Sequence, residues 1–263
     1  MWTLHQPLER HRDRVKSLHK RLEAFLEEPS AENLHDLRTA VRRVDASVNS
    51  LPRRLRERRK TNRLLGKLER LMKRSAKVRD LDTVQSRLTV YGTGRALGRL
   101  RRRVEKSRRK QVRSTVKAAA SIRKLSILYT DAQDARETQR SEERIEKVVK
   151  RLSSRLNRRL PVVLSDPDDK EALHALRKDC KRLRYILELT PQEGEGSGLV
   201  MTLTSWQDLL GAVRDGDVTV EYLEGLERSA PVDKVLRAER ARRRQDYEGF
   251  AAACAALSTS IPG

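Results

Sequence analysis

The sequence predicts an all-α protein, two four-helix bundles with eight main helices, on three observations. Apolar residues recur at intervals of three and four, and nowhere alternate at two as a strand requires. Glycine and proline, 12 and 8 in 263 residues, gather at a few breaks: Pro29, Pro52, Gly92–Gly94, Pro161 to Pro167, Pro191 to Gly198 and Pro231. One eleven-residue pattern also occurs twice, LHDLRTAVRRV at Leu34–Val44 and LHALRKDCKRL at Leu173–Leu183.

The elements follow in order. The first apolar row is Leu4, Leu8, Val15, Leu18, Leu22 and Phe25. The second is Leu34, Leu37, Val41, Val44, Val48 and Leu51, with Ser30 as its N-cap. The third runs through Leu64, Leu68, Leu71, Val78 and Leu81, and the fourth through Leu97, Leu100, Val104, Ile122 and Leu125. An acidic, polar stretch near Asp131–Glu143 separates these from four more helices at Ile145–Val163, Ala172–Leu189, Leu199–Leu226 and Val232–Leu257. The repeated pattern has five identical positions at an offset of 139. A second echo, VRDLD at Val78–Asp82 and VRDGD at Val213–Asp217, follows in the same order at an offset of 135. The expectation is one domain over 1–263 made of two repeats, 1–130 and 141–263, each a four-helix unit.

Charge points to a partner. The net charge is +22 and the pI about 10.7, a field that attracts polyanions. It is lopsided: residues 1–130 hold 36 Lys+Arg against 13 Asp+Glu, whereas 131–263 hold 23 against 24. Val90–Thr130 carries thirteen basic residues and one acid, Glu105. Aromatics, at 3%, are too few for a platform that stacks single-stranded bases. Cys180 and Cys254 have no metal-site spacing and read as small buried apolar residues. The opening MWTLHQPLERHRDR shows no secretory signal, and the longest apolar run, Phe250–Leu257, is too short to span a bilayer. A soluble, cytoplasmic protein without membrane contact is expected.

On a helical wheel, His35, Arg38, Thr39 and Arg42 share the face opposite Leu34, Leu37, Val41, Val44 and Val48. His174, Arg177, Lys178 and Lys181 repeat that arrangement opposite Leu173, Leu176, Cys180, Leu183 and Leu187. Arg43 matches Arg182 and extends the basic row. Arg63, Lys67, Arg70, Arg74 and Lys77 form one ridge along the third helix, and Arg99, Arg102, Lys106, Arg109 and Arg113 another along the fourth. Solvated faces normally interleave acids, and these hardly do, so ligand contact is expected of the ridges as groups. Arg79 with Asp82, and Arg214 with Asp217, lie near the apolar stripe. They read either as ion pairs that fix helix packing or as arginines held by an aspartate at the edge of a binding channel.

Other chemistry fits poorly. A phosphohydrolase reading of His35-Asp36 meets Ala175 at the position matching Asp36. His5, His11 and His19 share the first segment, where His11 falls in the apolar register. GTGRALG at Gly92–Gly98 follows no strand and lacks the Lys-Ser/Thr ending of a phosphate loop. No nucleophile–base pair stands out, so no catalytic residue, cofactor or metal is assigned.

With LHDLRTAVRRV and VRDLD matched by LHALRKDCKRL and VRDGD in a basic helical chain, the sequence resembles the CHAD family, the conserved histidine α-helical domain. The resemblance spans essentially the whole chain. It implies two four-helix bundles, related by approximate twofold symmetry, flanking a basic central groove or pore into which His35, Arg38, Arg42, His174, Arg177 and Lys181 face. It also implies binding of inorganic polyphosphate and association with polyphosphate granules and their other proteins. No segment resembles the CYTH triphosphatases that often accompany the family, so a stand-alone copy is expected. Gly216 stands where the first VRDxD motif has Leu81. Polyphosphate presents about one charge per phosphate and no bases, so its reader needs dense cations rather than rings. The alternatives are a protein that tracks a DNA or RNA backbone and a metal-dependent polyphosphate phosphohydrolase.

Overall fold

The structure, a computed structural model, describes residues 6–123, 135–190 and 195–257. Leu4, His5 and Leu125, with the Asp131–Asp134 and Pro191–Gly194 parts of the expected breaks, lie outside the described residues. Among the described residues there is no strand, and ten helical elements follow one another. They are α1 (Gln6–Glu27), α2 (Ala31–Asn49), the single turn α3 (Arg53–Arg56), α4 (Arg59–Arg74), α5 (Ala76–Thr89), α6 (Arg95–Arg123), α7 (Ala135–Ser165), α8 (Lys170–Leu187), α9 (Glu195–Glu224) and α10 (Ala230–Leu257). The all-α expectation holds.

Three differences from the expected eight helices have local causes. The third helix is two. Ser75 ends α4, where Arg38 donates to Met72 O at 3.0 Å and Thr115 to Arg74 O at 3.1 Å, satisfying carbonyls that continuation would otherwise use. The turn α3 follows Pro52, which supplies a fixed φ at the helix start. Pro161 does not break α7, which runs on to Ser165. Inside a helix, proline forfeits one backbone bond, and here that falls within the last turn and a half. Ser30 caps α2 as expected, accepting from Asn33 N at 3.1 Å.

The chain forms two compact units, each drawn from both sequence repeats rather than coinciding with 1–130 and 141–263. The first takes described residues from Met1–Arg79, Arg108–Leu152 and Arg182–Ser197. Its core joins Leu18, Leu22 and Phe25 of α1 to Leu34, Leu37, Val41 and Val44 of α2. Leu64, Leu68 and Leu71 of α4 and Ala119 and Ile122 of α6 complete it. A fully buried leucine is worth roughly 1.5–3 kcal/mol, so this stripe holds the cationic face of α2 in place.

The second unit takes Asp80–Ser107, Ser153–Lys181 and the described residues of Gly198–Gly263. One core cluster joins Leu81, Val84 and Leu88 of α5 and Leu100 and Val104 of α6 to Val218, Val220 and Leu223 of α9 and Val235 and Leu236 of α10. Trp206 meets Phe250 edge-on at 6.1 Å, and the Tyr247 hydroxyl donates to Val163 O. Cys180 and Cys254 are free and buried, and burial pushes both thiols up to about 12, in keeping with an apolar packing role.

Candidate anion-binding site

In the first unit the buried stripe of α2 leaves His35 exposed and Arg42 half-buried. Arg42 lies beside Arg79 of α5 and Tyr185 of α8. Burial holds its guanidinium below the ordinary range; Tyr185 offsets part of this, and the charge of Arg79 adds to it. Neither Arg42 nor Arg79 forms an ion pair among the described residues.

In the second unit α8 presents His174, Arg177, Lys178 and Lys181, and Arg214 of α9 joins them. His174 is half-buried, and its Nδ1 has no hydrogen-bond partner among the described residues. Burial, reinforced by Lys178, Arg214, Arg177 and Lys181, pushes its pKa down to about 4, so the ring is neutral at pH 7. The Arg177 guanidinium packs against Gly211, where a Cβ would stand 3.6 Å from Nη2. Asp217 is buried and pairs with Arg243 of α10 at 3.0 Å, which leaves Arg214 among cations and without an ion pair among the described residues. Arg79 and Arg214 thus occupy equivalent places, each beside the cations of a repeated helix.

The other sequence candidates divide. Arg38, placed by the wheel on the ligand-facing side, is only 9% exposed, and its Nη1 donates to Met72 O and Ser75 Oγ at the end of α4. Arg43 bonds Glu188 Oε2 at 3.2 Å and lies over the Tyr185 ring at 5.8 Å. Along α4, Arg63, Arg70 and Arg74 are exposed without ion pairs among the described residues, but Lys67 donates to Ser121 O of α6. Lys77 lies beyond Ser75 on α5, so the ridge is interrupted. On α6, Arg99, Arg102, Lys106, Arg109 and Arg113 are all exposed.

Sequence reasoning missed Arg14, Tyr185 and Glu188. Glu188 receives Arg14, Arg43 and Arg184 at 3.4, 3.2 and 3.5 Å. The signal for two of them was present, because Tyr185 and Glu188 sit one turn apart directly after the second repeat. Among the described residues, no group of three or more His, Cys, Asp or Glu could hold a metal ion, and no helix is long and apolar enough to cross a membrane.

An all-helical protein whose two histidine-led helices each gather arginines defines a class. The CHAD domain model matches residues 9–224, and the chain belongs to the CHAD domain family. Among solved structures, it resembles the CHAD domain from the plant Ricinus communis, with 19% identity and a TM-score of 0.66 over 97% of this chain and 92% of that one. It also resembles PptA from Streptomyces chartreusis, with 15% identity and a TM-score of 0.51 over 98% and 99% of the two chains. At these identities the likeness is one of fold. No curated protein sequence matches this one.

Proposed function

We propose that this protein binds inorganic polyphosphate, without catalysing its turnover, through one cationic cluster in each unit: Arg42 and Arg79 in the first, and His174, Arg177, Lys178, Lys181 and Arg214 in the second. The observation that carries this is selective neutralisation. Arg87, Arg155 and Arg243 have carboxylate partners in Glu239, Asp179 and Asp217, at 2.8, 3.4 and 3.0 Å. The half-buried Arg42, Arg79 and Arg214 have none among the described residues. A half-buried charge without a partner costs stability, and an external polyanion removes that cost. Arginine forks match phosphate oxygens, and neutral His174 supplies a ring nitrogen that takes up a proton as the polyanion approaches. Membership of the CHAD family supports the reading. Such binding would seat the protein on polyphosphate granules in the cytoplasm, beside other granule proteins.

The test is a calorimetric titration with long-chain polyphosphate and with duplex DNA at matched phosphate concentration. Polyphosphate is expected to bind at least tenfold more tightly, a difference of about 1.4 kcal/mol. Equal affinities would assign the clusters to nucleic-acid backbones instead, and phosphate release on adding divalent metal would make the protein an enzyme.

A further inference from the structure

A separate feature of the first unit is a cavity of about 300 Å³ lined by Arg10, Asp13, Arg14, Ser17, Ala40, Arg43 and Glu188. Three guanidinium groups face it. Arg14 is nine-tenths buried and donates to Arg43 O at 3.1 Å, Tyr185 O at 2.8 Å and Glu188 Oε2 at 3.4 Å. Arg10 uses Nη1 on the Glu188 and Thr190 carbonyls, at 2.6 and 3.4 Å. Arg43 uses Nε on the Glu188 carboxylate. The remaining N–H groups of Arg10 and Arg43 make no hydrogen bond among the described residues.

Charge is out of balance here. Glu188 is shared by Arg14, Arg43 and, from beyond the lining, Arg184, while Arg10 meets only carbonyls. The other lining carboxylate, Asp13, is largely exposed and lies 3.8 Å from Lys16. The Arg14 guanidinium registers the excess. Burial pushes it down to about 10; Glu188 opposes that shift, and the charges of Arg43 and Arg10 deepen it.

We infer that this cavity is a binding site for a small, multiply charged oxyanion of the phosphate class, the size of pyrophosphate. Arg10 and Arg43 grip it with their spare N–H groups and the exposed Ser17 hydroxyl adds a third donor, while buried Arg14 holds the floor of the site positive. The volume admits a short anion. The site uses none of the residues on which the polyphosphate reading rests.

Pyrophosphate is the probe, titrated calorimetrically into the full chain. The expected result is one saturating equivalent per chain. Binding should weaken about tenfold in Arg10→Gln, the loss of one charge-assisted hydrogen bond, and comparably in Ser17→Trp, which fills the cavity from its exposed rim. It should be unchanged in Arg79→Gln/Arg214→Gln, the variant that tests the polyphosphate clusters. Thermal melting verifies that each variant is folded. Absence of saturation, indifference to both cavity variants, or loss in the Arg79/Arg214 variant instead would overturn the assignment.

Discussion

Arg38 and Arg42 stand four residues apart on α2, yet one is spent inside the protein and the other is not. Arg38 reaches Met72 O and Ser75 Oγ, so it closes the end of α4. Arg38→Met should cost about 1–3 kcal/mol in a denaturant melt by removing the two bonds that Arg38 donates at the end of α4, and leave polyphosphate affinity unchanged. His11 illustrates a second buried polar role. Its Nδ1 lies 2.8 Å from Ser47 Oγ, whose hydroxyl proton goes to Val44 O, so Nδ1–H is the donor. Burial, with Arg14 nearby, pushes its pKa down to about 4 from 6.5. Between those values the unfolded chain binds the extra proton. The stabilisation is therefore complete above pH 6.5 and is lost as pH falls towards 4, by up to roughly 3 kcal/mol. Melting midpoints of wild type and His11→Gln between pH 7 and 4 check this, and the steeper loss should belong to wild type.

At the scale of elements, Gly216 shows what one position does in two copies of a motif. Its counterpart Leu81 is buried in the core of the second unit. At Gly216 the backbone of α10 comes so close that a Cβ would stand 2.9 Å from Arg243 Cβ and 3.4 Å from its Cα. Gly216→Ala should therefore destabilise by about 1–2 kcal/mol net, overpacking exceeding the helix-propensity gain, as a lower denaturation midpoint would record. The α2 stripe, the Ser30 cap and the outward position of His35 were legible because they depend on residues within one helix. The break at Ser75 was not, because Arg38 and Thr115 arrive there from other helices. Arg38 was misplaced for the same reason: a wheel gives a direction, and the depth of the neighbouring helix decides burial. The grouping of Arg42 with Arg79, and of His174 with Arg214, joined two motifs that the sequence shows only as separate echoes.

For the whole molecule, the lopsided charge of the sequence resolves into neutralised and unneutralised cations. Glu239 is fully buried against Arg87 and Tyr91, at 2.8 and 2.6 Å, and such pairs hold a unit together without attracting anything. The exposed cations of α4 and α6 add to the long-range field, and on the proposed reading the half-buried arginines of the two motifs supply contact. Counterions released on binding make affinity fall with salt in proportion to the phosphates contacted. The measurement that decides the matter is the affinity for long-chain polyphosphate across a range of salt concentrations, for wild type and for folded Arg79→Gln/Arg214→Gln. Weaker binding with a log–log salt slope shallower by about 1.4, two contacts at about 0.7 each, is the expected result. An unchanged affinity and slope would contradict the account and leave the binding to the exposed ridges alone.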